Sequence, residues 1–97
     1  MCGGNELLEK TKGLRERDLK SKMILYDPVA CVYVDLNETA KYIWDLIDKK
    51  TLDEIIENYA KYYGVDLQIA ETDVYYVVEE LEQKGIISIN RSKEVNQ

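Results

Sequence analysis

The segment CVYVDLNETAKYIWDL, Cys31 to Leu46, changes its hydrophobic period in the middle. Up to Leu36 the apolar residues alternate. Val32, Val34 and Leu36 fall on one face of a strand, with Cys31, Tyr33 and Asp35 on the other. From Asn37 the spacing becomes helical, with Ala40, Ile43, Trp44 and Ile47 at i, i+3, i+4 and i+7. Asn37 is a favourable N-cap residue because its side chain can accept from an orphan backbone N–H of the first turn. A strand therefore runs into a helix with almost no loop. Any fold of this chain must mount a sheet directly on a helical layer.

The flanking sequence supplies the rest of both layers. KMILYD is β-prone and ends at Asp27-Pro28, a turn dipeptide, so Met23–Tyr26 pairs with Cys31–Leu36 as a hairpin. LRERDLK, residues 14–20, supplies a weaker first strand. The first helix ends near Asp48. The second opens with Thr51-Leu-Asp-Glu54, a capping box. It carries Leu52, Ile55, Ile56, Tyr59 and Tyr63 on one face, and it stops at Gly64, with Val65 placed to close a Schellman contact. The third runs from Leu67, behind Asp66 as a cap, to Lys84, with Val74, Val77, Val78 and Leu81 as its core stripe. Gly85 and Ile86 repeat the glycine-then-apolar ending, and IISI adds a short final strand. Strands followed by helices argue an α+β class. Three compact helices with a small sheet of two or three strands also describe a winged helix-turn-helix. Residues 1–13, with Gly3, Gly4 and Gly13, read as a flexible N-terminal tail, 14–90 as the domain and 91–97 as a C-terminal tail.

Composition narrows the function. With 97 residues the chain suffices for one small domain, and 45% apolar with 33% charged residues is a globular composition. No apolar run approaches the roughly 18 residues of a membrane span. MCGGNELLEK lacks a basic segment followed by an apolar core, so it is no signal peptide and the expected location is cytoplasmic. Cys2 and Cys31 make no disulfide framework, and Cys31 reads as a small packed strand residue. The chain contains no histidine, which removes the usual general base and most transition-metal sites. It has no glycine-rich phosphate loop. Its carboxylates spread over helix faces that read as solvated. The expectation is a non-catalytic protein with no cofactor and no metal.

Charge argues against nucleic acid. Residues 23–90 carry 14 Asp/Glu against five Lys, a surface that repels phosphate. In a helix-turn-helix the third helix would enter the major groove. Here it holds Glu71, Asp73, Glu79, Glu80 and Glu82 against Lys84 alone.

Two features rise above a small acidic α+β domain. One is aromatic usage: eight Tyr, one Trp and no Phe. Tyrosine suits half-buried, partner-facing positions. Tyr75 and Tyr76 fall on opposite flanks of the third helix, so at least one is exposed or lines a groove. The other feature is the edge of the sheet. CVYVDL holds neither proline nor lysine, the usual edge blockers, and Asp35 is its single charge. Such an edge is either covered by the chain itself or a second subunit, or kept open for an added peptide strand.

Residues 35–87 resemble the PqqD family, also described as the RiPP recognition element. The resemblance lies in Leu36-Asn37, Thr39-Ala40, Ile43-Trp44-Asp45-Leu46, Asp48, Thr51–Ile55, and Asp73-Val74 through Leu81 to Gly85-Ile86-Ile87. The chain departs from the pattern at Lys49-Lys50, where members often carry glycine after the aspartate, so that turn should differ in backbone geometry. The resemblance implies a small antiparallel three-stranded sheet packed on a three-helix, winged helix-turn-helix-like bundle, and a peptide chaperone. It would bind the leader segment of a ribosomally made precursor peptide by strand addition and present it to a modifying enzyme, such as the radical-SAM protein of pyrroloquinoline quinone biosynthesis. The implied site is a groove between the third sheet strand and the third helix. Cys31, Val32, Tyr33, Val34 and Asp35 would form the strand wall. Asp73, Tyr76, Val77 and Glu80 would form the helix wall, with Tyr75 on the other side of that helix. The alternatives are a winged-helix transcription factor, a protein-interaction domain without a leader partner, and a subunit whose edge is closed by homodimerisation.

Overall fold

The computed structural model describes residues 7–90. In chain order these form β1 (Leu7–Lys10), β2 (Arg15–Asp18), β3 (Met23–Asp27), β4 (Val32–Leu36), α1 (Glu38–Leu46), α2 (Leu52–Tyr63), α3 (Leu67–Gln83) and β5 (Ile87–Asn90). Strands β2, β3 and β4 make an antiparallel sheet in that order, and β1 and β5 make a separate two-stranded ribbon. The class is α+β, as the sequence predicts.

The hairpin register places Leu25 opposite Val34 and Met23 opposite Leu36. All four are buried, so one face of the sheet enters the core. There they join Ile43, Trp44 and Ile47 of the α1 segment, Leu52 and Ile55 of α2, and Val74, Val78 and Leu81 of α3. Burying a side chain of this size contributes roughly 1.5–3 kcal/mol. The strand-to-helix corner is as short as the change of period requires. Leu36 ends β4, Asn37 is the N-cap, and its Oδ1 accepts from the Ala40 N–H at 2.9 Å. The capping box of α2 forms in both directions, with Glu54 N–H to Thr51 Oγ1 at 3.3 Å and Thr51 N–H to Glu54 Oε1 at 2.9 Å. Gly85, at φ 75°, ends α3 in the left-handed region. It lets the Ile86 N–H reach the Leu81 carbonyl at 3.0 Å, a Schellman closure.

Several expectations need correction. Residues 1–13 are not all tail: β1 lies among them, and Leu8 is fully buried. Leu8 pairs with Ile89 across the ribbon. The Lys10 N–H donates to Asp48 Oδ1 at 3.2 Å, the Thr11 hydroxyl donates to the Gly85 carbonyl at 2.6 Å, and Leu7 bridges Thr51. The N-terminal strand thus straps the α1–α2 turn to the end of α3. The expected tails at 1–6 and 91–97 lie outside the described residues. Cys31 is not a packed strand residue. It is exposed at φ 57° in the turn before β4, after Asp27 Oδ1 has accepted from Val29 N–H at 3.0 Å. Asp66 holds the N-cap position of α3 but makes no side-chain cap bond. At the Lys49-Lys50 turn the left-handed conformation is taken by Asp48 itself, at φ 80°. The Lys49 and Lys50 N–H groups both donate to the Leu46 carbonyl at 3.1 Å.

Candidate functional site

Among the described residues strand β4 pairs with β3 on one side only, so its other side is the open edge of the sheet. Alternate residues of such an edge direct N–H and C=O groups outward with no partner strand. Between this edge and α3 lies an open groove of about 660 Å³. That space accommodates several side chains of an extended segment.

The floor of the groove is apolar. Val34 and Leu36 come from β4, Ala40 from the first turn of α1, and Val77 and Leu81 from α3. The short corner at Asn37 makes this possible, because it carries the chain straight from the strand wall into the helix that closes the floor. The lip carries Asp35, Asp73 and Glu80 together with Lys22 and Lys84. Lys84 Nζ stands 3.5 Å from Glu80 Oε2, one helical turn away, as an exposed ion pair. Tyr76 rises beside them with 69% of its surface exposed.

Tyr59 enters the groove from α2. Its ring is buried, and its hydroxyl donates to Asp73 Oδ2 at 3.0 Å, joining α2 to α3. Burial, reinforced by the bond to Asp73, pushes the Tyr59 pKa up to about 12, so the hydroxyl keeps its proton at any physiological pH. Behind Tyr59 the aromatic packing continues through Tyr63 and Tyr42 to an exposed Tyr62, stacked on Tyr42 with ring centroids 4.5 Å apart.

Of the residues expected at the site, Val34, Asp35, Asp73, Tyr76, Val77 and Glu80 line this groove together. Cys31, Val32, Tyr33 and Tyr75 do not line it. Val32 and Tyr33 belong to the same edge strand, but Tyr33 lies on the far face, its ring tilted against that of Tyr26 with centroids 4.5 Å apart. Tyr75 lies on the opposite flank of α3, as its one-residue offset from Tyr76 dictates. The other lining residues were not expected there, among them Leu36, Thr39, Ala40, Thr72 and Tyr59. Thr72 is one helical turn before Tyr76 and was findable by spacing. Tyr59 carried no such signal, because its position in α2 marks it only as core.

Comparison with known proteins agrees with this architecture. The family described as coenzyme PQQ synthesis protein D (PqqD) matches residues 22–87. TbiB1, solved in complex with the TbiA(beta) leader peptide, superposes with a TM-score of 0.77 at 20% identity, over 82% of this chain and 94% of that one. The PqqD truncation of Methylobacterium extorquens PqqCD was solved by NMR as a functional, stand-alone RiPP recognition element. It superposes with a TM-score of 0.69 at 24% identity, over 91% of this chain and 94% of that one. Among curated proteins none matches by sequence.

Proposed function

The chain belongs to the PqqD family, and from that premise we propose that it is a non-catalytic peptide chaperone. It binds the leader segment of a ribosomally synthesised precursor peptide and presents it to a modifying enzyme. The observation that carries this reading is the unpaired edge of β4 standing over an apolar-floored groove walled by α3. Strand addition there satisfies the edge backbone groups and supplies affinity that is blind to sequence, while the floor selects side chains at alternate positions of the leader. TbiB1, which shares the fold, was solved with a leader peptide, which supports the same use of this groove. The enzyme that receives the leader is a peptide-tailoring protein such as a radical-SAM enzyme, and the setting is the cytoplasm. Among the described residues no helix is long and apolar enough to cross a membrane.

The acidic third helix argues against a transcription factor. On the helix that would enter the major groove, Glu71, Asp73, Glu79, Glu80 and Glu82 are all exposed. Ordering a flexible leader costs free energy, so the expected dissociation constant is about micromolar, or ~8 kcal/mol. The test is a titration of isotopically labelled protein with the leader of a precursor encoded beside its gene. Amide shifts should concentrate at residues 31–36 and 69–84. A saturating leader that shifts neither segment sinks the proposal.

A further inference from the structure

Resting on the reading of the groove as a peptide site, we propose that Asp73, held in place by Tyr59, is the residue that selects a Lys or Arg side chain in the bound peptide, two positions from the side chain that fills the apolar floor. The inference begins with the lip. Glu80 is already paired with Lys84. Asp73 is engaged differently, by a neutral hydroxyl that fixes its orientation and brings no opposite charge. A carboxylate has about four acceptor positions, and the tyrosine uses one on Oδ2. The remainder can take a guanidinium or an ammonium. Because Tyr59 is buried and its ring is packed against Tyr63 and Tyr42, Asp73 stands on a rigid support. Less side-chain entropy is then lost when a cation arrives.

Spacing sets the pattern. Asp73 and Val77 are four residues apart on α3, about 6 Å along the helix axis. In an added strand, residues i and i+2 share a face and stand about 6.6 Å apart. For a peptide strand running along α3, an aliphatic or aromatic side chain on Val77 and Val34 brings the residue two positions away level with Asp73. The intervening residue points elsewhere. The chemical class of ligand is an extended peptide with a basic residue and an apolar residue separated by one position. The acidic domain would also speed its capture by long-range attraction.

The probe is a set of acetylated, amidated ten-residue synthetic peptides with a β-prone host sequence. Each carries one leucine, with lysine, arginine, citrulline, glutamine or glutamate at one or two positions to either side. Binding to the full chain is read by calorimetry and by amide shifts. Arginine or lysine two positions away on one side should bind about tenfold or more tightly than citrulline or glutamine, and adjacent placement should give no gain. D73N should remove the gain, bringing the arginine and lysine peptides to the affinity of the citrulline and glutamine peptides on the same variant, and Y59F should leave a reduced gain. Peptides that bind at β4 with no preference for a basic residue overturn this inference and leave the groove reading intact. A preference that survives D73N also overturns it, by assigning the cation elsewhere. If no peptide shifts the β4 amides, both readings fall. If D73N proves unstable, Y59F decides: an arginine–citrulline contrast that Y59F leaves unchanged overturns the inference.

Discussion

The three-stranded sheet has two edges, and they are built differently. The β2 edge reads Arg15-Glu16-Arg17-Asp18, and every residue is exposed. The β4 edge reads Val32-Tyr33-Val34-Asp35-Leu36, with Val34 and Leu36 buried and a groove alongside. Charged side chains on an edge strand make pairing with another chain costly. Charge of both signs thus guards one edge, while the other offers nearly bare backbone beside an apolar floor. The guarded strand also has a structural task. Glu16 Oε2 accepts from Trp44 Nε1 at 3.1 Å, and Asp18 Oδ1 pairs with Lys41 Nζ at 2.7 Å, so β2 is fastened to α1 at two points. The difference separates a strand that holds the fold from one that is available to a ligand.

The largest expected effect comes from guarding the open edge. Tyr33→Lys combined with Asp35→Lys leaves the core side chains in place. It should weaken leader binding about thirtyfold, ~2 kcal/mol. Reversing Arg15 and Arg17 to Glu on the other edge should change affinity less than twofold. Calorimetry on both variants reads the contrast, and equal losses would break it. Next in size is Glu16→Ala, which strips the buried Trp44 indole of its acceptor. It should cost about 1–2 kcal/mol in urea unfolding, with leader affinity of the folded protein unchanged. A smaller effect is expected from unguarding β2. Arg15→Val with Arg17→Val should introduce weak self-association, seen as a sedimentation coefficient that rises with concentration. A strictly monomeric variant would show that the charges are not what keeps that edge unpaired.

The smallest effect vanishes at neutral pH. Burial raises the pKa of Tyr59 to about 12, and it also raises those of Tyr42 and Tyr63. Groups whose folded pKa exceeds the unfolded value stabilise the fold fully below the unfolded value and lose that contribution as pH rises through the folded one. Stability should therefore hold to about pH 10 and fall between about 10 and 12. Y59F should fall less steeply over that window in alkaline unfolding followed by circular dichroism.

Most of the frame was legible because its signals are local. The capping box at Thr51 and Glu54, the glycine stop at Gly85 and the Asn37 corner each involve residues within one or two helical turns. Helical spacing groups Asp73, Tyr76, Val77 and Glu80 on one flank of α3, but spacing alone does not choose between that flank and the one bearing Tyr75. What escaped depends on distance along the chain. Strand β1 has four residues, its two leucines are adjacent rather than alternating, and its partner lies some 80 positions later, at Ile87–Asn90. Nothing near Leu8 announces that it is buried. Cys31 was misplaced because the strand alternation extends one residue beyond the strand, and only the left-handed φ in the turn reveals the boundary. Tyr59 escaped for a third reason: a tyrosine can serve as core with its ring and as a groove contact with its hydroxyl.

The β1–β5 ribbon has a consequence for architecture. Leu7 sits opposite Asn90, so the chain enters and leaves the domain at one spot. None of the residues lining the groove belongs to the ribbon. An attachment made through the ribbon, at either of its strands, therefore lies away from the groove-lining residues.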